Sequence, residues 1–277
     1  MLSLRKLNQQ LAQALQTIHD EPKPYIAGDR MAECVHQLDF PKRKVTSHYC
    51  GSQFCLLCRR RHAATQRGLL RNQLAAAKAD MNCPSMCLFL TCTLIDVEPD
   101  GVQAHATALV EGFEKLRRKL KGLKGWTRVI EVKRAFNPEL ENIHMHALLL
   151  FPAAWKEEMH AFDWHEQWKR CAGATARDVL PKVVYKERGI ITYINKSADS
   201  DFMEDGQIGI EDPRRYVQRI VTGRNKFSSG GALRFRLSSA FDDMDRLTGL
   251  ADVITLSMIR TSAGRAPRER IPVDDGK

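Results

Sequence analysis

The ten residues Asn142–Phe151, NIHMHALLLF, constrain the fold more than any other stretch of the chain. The run is apolar, strand-length and interrupted only by two histidines one residue apart. Val, Ile or Leu would fill a core at lower cost, so buried imidazoles there need partners. In a strand, alternate side chains share a face, so His144 and His146 project together, about 7 Å apart along the chain. Met145, Ala147, Leu149 and Phe151 take the opposite face. Two readings remain open at this point. The histidines are core residues satisfied by backbone or solvent, or they are neutral imidazoles converging on one cation. Glu131, inside RVIEVKR, is a third ligand for the second reading if its strand pairs with 143–151 as a hairpin. A carboxylate in an apolar strand is costly unless it is paired or bound to metal. The alternative is an edge-facing Glu131 paired with Lys133 or Arg134. Two histidines and one carboxylate leave open positions on a divalent ion such as Mg²⁺ or Mn²⁺, which would clamp a phosphate.

The rest of the pattern predicts an α+β chain. Leu4, Leu7, Leu11, Leu15 and Ile18 form one stripe of an amphipathic helix over 1–19. Residues 20–47 are loop-rich, and a basic helix then runs to about Lys78, stopped by NCP. MCLFLTCTL (86–94) reads as a buried strand, and EPDG (98–101) as a turn. Residues 104–121 form a helix with Leu109, Phe113, Leu116 and Leu120 inward. WTRVIEV (126–132) is a strand, a helix covers 155–171, and KVVYK (182–186) is a short strand. GIITYINK (189–196) is ambiguous, because it is rich in β-branched residues. Residues 211–222 read as helix, GRNKFSSGG as a loop, and the tail after Thr261 as disordered. Strand, helix, strand, strand, helix, strand, helix suggests a central, largely antiparallel sheet with helices packed on it.

The formal charge of the 277-residue chain is +10, which favours a polyanionic partner, most often nucleic acid. No apolar run approaches the length of a membrane span, and the N-terminus lacks the apolar core of a signal peptide. A cytoplasmic protein is expected. Of the eight cysteines, 34, 50, 55 and 58 crowd into one segment, which in a cytosolic chain points to metal or free thiols rather than disulfides, while Cys83, Cys87, Cys92 and Cys171 are scattered and read as core residues or free thiols. Cys50, Cys55 and Cys58 are spaced C-x4-C-x2-C, and His62 follows as C-x3-H, a compact set for structural Zn²⁺. His48 and Cys34 compete for the fourth position, and reduced thiols in a helical cap are the alternative. The helix that follows would present Arg59, Arg60, Arg67 and Arg71 to phosphates, which position a nucleic acid without reading its sequence. Lys133, beside the candidate ligands, is a further phosphate contact.

In TYINKSADSDF, Tyr193 and Lys196 are three apart and share a face if the segment is helical. A tyrosine oxygen is a competent nucleophile toward a phosphodiester, and a nearby ammonium neutralises developing charge. An ordinary helix pair is the alternative. Taken together, the segments resemble the HUH endonucleases, and among them the rolling-circle plasmid replication initiators. HMHALLLF matches their histidine–hydrophobic–histidine motif. FLTCTL (89–94) is similar to the apolar strand that precedes it, TYINKSADSDF to their tyrosine motif, and GRNKFSSGGALR to a downstream Gly-containing segment. YCGSQFCLLCRRR resembles their N-terminal cysteine segment. The resemblance spans about residues 48–235, in the family's order.

That resemblance implies a ferredoxin- or RRM-like antiparallel sheet whose middle strands carry the metal ligands, with a helix supplying the tyrosine. It implies an endonuclease and strand transferase acting on single-stranded or stem-loop plasmid origin DNA in a bacterial cytoplasm. Tyr193 would attack the scissile phosphate, leaving a 5′-phosphotyrosine and a 3′-hydroxyl primer, with host helicase and DNA polymerase as partners. The expected organisation is a Cys-rich zinc and DNA-binding element over 1–82, the nicking-joining domain over 83–237, and a C-terminal helix and tail over 238–277. One departure stands out. The initiators often carry a glutamate four residues before the tyrosine and a lysine just before it; here those positions are Gly189 and Thr192. Glu187 is a substitute for the glutamate, and Tyr185 an alternative second nucleophile. Two rival readings are a single-tyrosine transposase or relaxase, and a non-catalytic zinc-containing DNA-binding regulator. A relaxase usually has a third histidine, and its tyrosine precedes the histidines; this chain has neither feature.

Overall fold

Alternation in the central strands organises everything else. In the computed structural model, which describes residues 4–17, 28, 31, 34, 38–39, 46–47, 50, 54–194, 214, 217 and 228–234, the strand Glu141–Pro152 is buried on both faces. Ile143, Met145, Ala147, Leu149 and Phe151 enter one core, and Leu148 and Leu150 enter another. A strand covered on both sides reads as a near-continuous apolar run, which explains the ALLLF sequence.

The elements, in chain order, are α1 (Leu4–Leu15), β1 (Leu38–Asp39), β2 (Thr46–Ser47), α2 (Leu56–Ala79), β3 (Ser85–Leu94), α3 (Val102–Lys119), β4 (Gly125–Arg134), β5 (Glu141–Pro152), α4 (Lys156–Ala161), α5 (Trp164–Ala172), β6 (Ala176–Val184), α6 (Glu187–Ile194) and β7 (Ser228–Gly231). The chain divides into two compact units. Residues 1–35 and 49–235 form one, and residues 36–48 and 236–277 the other. Of the second unit only β1 and β2 are described, an antiparallel pair with Leu38 opposite Ser47. Ile18, His48, Lys196, the helix expected over 211–222 (save Arg214 and Val217), the tail after Thr261 and the segment 238–277 lie outside the described residues.

In the larger unit five strands form one antiparallel sheet in the order β6-β3-β5-β4-β7. The β4 and β5 strands are a hairpin, as the short 135–140 connection implies, with Glu131 directly opposite His144 and Val129 opposite His146. On the other side of β5, Thr91 of β3 stands opposite His146 and Thr93 opposite His144. Both crossovers, β3 to β4 through α3 and β5 to β6 through α4 and α5, pack on the same face. Phe113, Leu116, Trp164 and Trp168 there close the main core. Trp168 Nε1 donates to the Thr93 carbonyl at 3.2 Å. Gly112 admits the indole, since a Cβ at that position would meet the ring at 3.1 Å.

The opposite face is covered by α2 and α6, through Leu70, Leu74, Ala77, Ile191 and Ile194 packing on Cys87, Phe89, Leu148 and Leu150. The ambiguous 189–196 segment is therefore helical as far as Ile194, because Ile191 and Ile194 at i and i+3 seat on this sheet face. Residues 155–171, expected as one helix, form two. Asp163 caps α5 by accepting from the Glu166 N–H at 3.0 Å, and the chain is extended at Phe162.

GRNKFSSGG, read from sequence as a loop, contains the edge strand β7. Ser228–Gly231 pairs with Gly125–Arg128, and Arg128 Nε donates to Ser228 Oγ at 2.9 Å. Serine and glycine are poor strand formers. They are needed here because the Trp126 indole lies against this edge: a Cβ on Gly230 would sit 2.7 Å from the ring. Gly231 has φ +58°, and a Cβ there would fall 2.3 Å from the Lys124 carbonyl oxygen. The sixth strand is longer than 182–186 and begins at Ala176; Pro181 is tolerated because β6 is an edge.

Candidate active site: the histidine–glutamate triad and Tyr193

The sheet face under α6 carries the polar groups. His144 and His146 are 8% and 4% exposed, so their nitrogens must be satisfied internally. His144 Nε2 lies 2.8 Å and His146 Nε2 3.1 Å from the same Glu131 oxygen, Oε2. The register explains this, because Glu131 faces His144 directly and reaches His146 on the diagonal. Lys133, two residues along the same face of β4, places Nζ 3.2 Å from the other oxygen, Oε1. Lys133, expected as a phosphate contact, thus has the triad's own carboxylate as a partner.

The outer nitrogens are held as well. His146 Nδ1 lies 3.1 Å from Thr91 Oγ1. For His144 the tautomer follows from a chain of partners. Arg177 NH1 donates to Asp96, and Asn142 Nδ2 donates to Asp96 Oδ1 at 2.7 Å. A carboxylate only accepts, so Asn142 must turn its amide nitrogen to Asp96 and its Oδ1 to His144 Nδ1, 3.0 Å away. His144 Nδ1 therefore carries a hydrogen; a neutral ring then turns an Nε2 lone pair to a Glu131 oxygen 2.8 Å away, whereas an imidazolium donates to it. Two acceptors at that distance require a cation between or beside them, a proton or a metal ion. Burial works against ionisation of Glu131, but hydrogen bonds from both histidines and the nearby charges of His144 and Lys133 outweigh it and hold the carboxyl well below its usual range. Burial lowers His146, with hydrogen bonding to Glu131 opposing, so its neutral, ligand-competent form is favoured. These observations fit the three residues to a divalent ion, and the three ligand atoms lie within 4.8 Å of one another.

The Asp96–Asn142 pair orients a candidate ligand from behind, a role worth about 10–100-fold in metal affinity where such pairs have been removed. Asp96→Ala is expected to weaken Mn²⁺ binding by about that factor while leaving the melting temperature close to that of the wild-type protein. Unchanged Mn²⁺ affinity by calorimetry would show that this chain does not set the tautomer.

Tyr193 is delivered to the same place by α6. Its hydroxyl is 3.5 Å from His146 Nε2. Its ring meets His146 edge-on, centroids 4.9 Å apart, and meets Phe89 edge-on at 5.7 Å. Phe89 in turn stacks on His146 at 5.4 Å. Tyr193 remains 42% exposed, beside the buried candidate ligands His144 and His146. Sequence reasoning missed Phe89 and Thr91. Their signal was available: in FLTCTL, Leu88, Leu90 and Cys92 line one core, which assigns Phe89 and Thr91 to the histidine face. Asp96 and Arg177 left no signal, being separated by 81 residues.

Two other candidates fall elsewhere. Glu187, weighed as a replacement for the missing glutamate, pairs with Lys78 of α2 and accepts from Cys87 Sγ at 3.8 Å. Tyr185 is 86% exposed between β6 and α6.

The cysteine segment gathers around the start of α2. Cys55 is the N-cap and accepts the Cys58 N–H at its sulfur, 3.5 Å away. Cys50 and Cys34 complete the group, with all four sulfurs within 4.8 Å of one another. The fourth member is thus Cys34, which takes the position expected of His62. It is brought there by the packing of Leu7, Leu11, Leu15 and Met31 against Cys55, Leu56 and Cys58. Hydrogen bonding among the packed thiols, led by Cys34, pushes Cys55 and Cys58 up. From there Arg60, Arg67 and Arg71, spaced by seven and four residues, follow one side of α2; Arg60 and Arg71 are exposed, and Arg59 and Arg67 are half-buried.

The sequence model of the replication-protein family matches residues 42–183, just over half of the chain. The match includes Cys50, Cys55, Cys58, Glu131, His144 and His146 and stops short of Cys34 and Tyr193. Two curated relatives carry the name "Protein rep". One, from Bacillus amyloliquefaciens, is 25% identical over 192 residues, covering 64% of this chain and 54% of its own. The other, from a Bacillus species, is 25% identical over 166 residues, covering 53% of this chain and 52% of its own. The chain spans about half the length of these relatives. No solved structure matches it. The family match, on a chain whose motifs already ran in the order of the plasmid replication initiators, places this protein in the replication-protein family.

Proposed function

We propose that this protein initiates rolling-circle replication of a plasmid by nicking and rejoining single-stranded or stem-loop origin DNA, with Tyr193 as nucleophile. The observation that carries the reading is the Tyr193 hydroxyl, on a side chain that is 42% exposed, 3.5 Å from His146 of the Glu131–His144–His146 group. The connectivity β3-α3-β4-β5-α4/α5-β6 with spatial order β6-β3-β5-β4 supports the ferredoxin-like topology of the HUH endonucleases. The candidate ligands lie on β5 and its hairpin partner β4, both interior strands of the five-stranded sheet.

Glu131, His144 and His146 would hold Mg²⁺ or Mn²⁺, which supplies Lewis-acid polarisation of the scissile phosphate when bound. The Tyr193 oxygen forms a bond to phosphorus, the bond to the 3′-oxygen breaks, the tyrosine gives up its proton, and the departing oxygen takes one. The products are a 5′-phosphotyrosine and a 3′-hydroxyl, and the reverse step rejoins the strand without ATP because the ester bond is conserved. Phe89 and His146 fix the tyrosine ring, which limits the entropy lost in reaching the phosphate. Lys196 is the nearest sequence candidate for neutralising the developing charge. Arg59, Arg60, Arg67 and Arg71 would grip the DNA backbone, and the host helicase and DNA polymerase would act on the nicked product in the cytoplasm. Among the described residues no helix is long and apolar enough to cross a membrane.

The test is incubation of the full chain with a labelled single-stranded origin oligonucleotide and Mn²⁺. A denaturation-resistant protein–DNA adduct is expected, lost with chelator and mapping to the peptide that contains Tyr193. No adduct, or an adduct on another tyrosine, would overturn the assignment.

A further inference from the structure

We infer that Cys34, Cys50, Cys55 and Cys58 form a tetrathiolate zinc site that fastens the chain at the two points where it leaves and rejoins the larger unit. The geometry is the first argument. A tetrahedral zinc with Zn–S near 2.3 Å places its sulfurs about 3.8 Å apart along each edge. Here Cys55 and Cys34 are 3.5 Å apart, Cys50 and Cys58 3.6 Å, and Cys34 and Cys58 3.8 Å. A disulfide would need about 2.05 Å, and all four cysteines are unbridged.

The second argument is the setting. The Cys58 N–H donates to the Cys55 sulfur at 3.5 Å from the first turn of α2, a hydrogen bond that would stabilise a metal-bound thiolate. Asn8 of α1 locks the surrounding backbone. Its side chain donates to the Met31 carbonyl at 3.2 Å and accepts from the Leu56 N–H at 3.0 Å, one residue beyond Cys55. The apolar cluster of α1, Met31 and the start of α2 is small, the kind of core that needs a staple.

The third argument is position in the chain. The larger unit ends its first segment at Val35 and resumes at Tyr49. Cys34 and Cys50 each lie one residue inside those boundaries. One metal ion therefore ties together the two ends of the 36–48 excursion, and Cys55 and Cys58 anchor both ends to α2. The site uses none of the residues assigned to nicking, so it stands or falls separately.

The experiment is a Co²⁺ and Zn²⁺ titration of the metal-stripped, reduced full chain. Cobalt is expected to give a strong sulfur-to-metal charge-transfer band at one equivalent, which the imidazole–carboxylate group cannot produce, and zinc is expected to abolish it. Cys34→Ser should weaken binding at least tenfold, whereas His62→Gln and Tyr193→Phe should bind as the wild type does. If Cys34→Ser fails to fold, alkylation of the wild-type chain with and without zinc gives the same answer: zinc should protect the peptides carrying Cys34, Cys50, Cys55 and Cys58. No charge-transfer band, protection that omits Cys34, or loss of binding in His62→Gln would overturn the assignment. Stripping zinc should also speed proteolytic cleavage between Cys34 and Cys50. Equal rates with and without zinc would overturn the fastening role.

Discussion

Tyr193→Phe is expected to abolish the covalent adduct and reduce nicking on the order of 10⁴-fold or more, while origin binding and Mn²⁺ affinity stay within about twofold of wild type. The substitution removes one oxygen from a side chain that is 42% exposed. The ring keeps its edge-on contacts with His146 and Phe89, so the variant should fold and melt as the parent does. The hydroxyl lies 3.5 Å from His146 Nε2, a contact that is long and poorly suited to a strong structural hydrogen bond. A loss of nicking with intact binding would therefore isolate the nucleophile. Persistent adduct would direct attention to Tyr185, which is 86% exposed and eight residues upstream. A regulator without catalysis would bind its DNA through α2 and show no effect at all.

Glu131→Gln is the second large effect. It conserves shape and removes the only negative charge of the triad. An isolated carboxylate in this half-buried position would be expensive; here two imidazoles and Lys133 surround it and keep it ionised at neutral pH. With glutamine, a divalent ion would face two neutral imidazoles and a cationic lysine. Mn²⁺ affinity should fall by about 100-fold or more, beyond what loss of an orienting partner costs, and nicking should fall with it. High Mn²⁺ should restore part of the rate, which distinguishes lost binding from lost chemistry. The amide can still donate to the bare His144 Nε2, so the fold should survive. Wild-type Mn²⁺ affinity in Glu131→Gln, measured by calorimetry, would remove Glu131 from the ligand set. The sign of the pH effect follows from the depressed carboxyl: its contribution to stability is present above the ordinary carboxylate range and is lost as acid protonates it. The stability gap between the parent and Glu131→Gln should therefore narrow below about pH 4.3.

The sequence alone determined whatever depends on local period. The alternation of NIHMHALLLF put both histidines on one face and the apolar residues on the other. The short 135–140 connection made β4 and β5 neighbours and brought Glu131 within reach. The i, i+3 and i+4 stripes gave α1, α2 and α3. Each of these follows from 2.0 or 3.6 residues per repeat, a property of a short window. Tertiary structure decided what the window cannot contain. Cys34 reaches the other cysteines only because α1 and Met31 fold back on α2. Asp96, Asn142 and Arg177 come from three segments, and only the sheet aligns them behind His144. Ser228–Gly231 has no propensity to be a strand; it became one because β4 offered an open edge and Trp126 leaves room for glycine alone. The helix at 187–194 was undecided by its β-branched residues and was settled by the sheet face on which Ile191 and Ile194 pack. That docking sets Tyr193 beside the histidines.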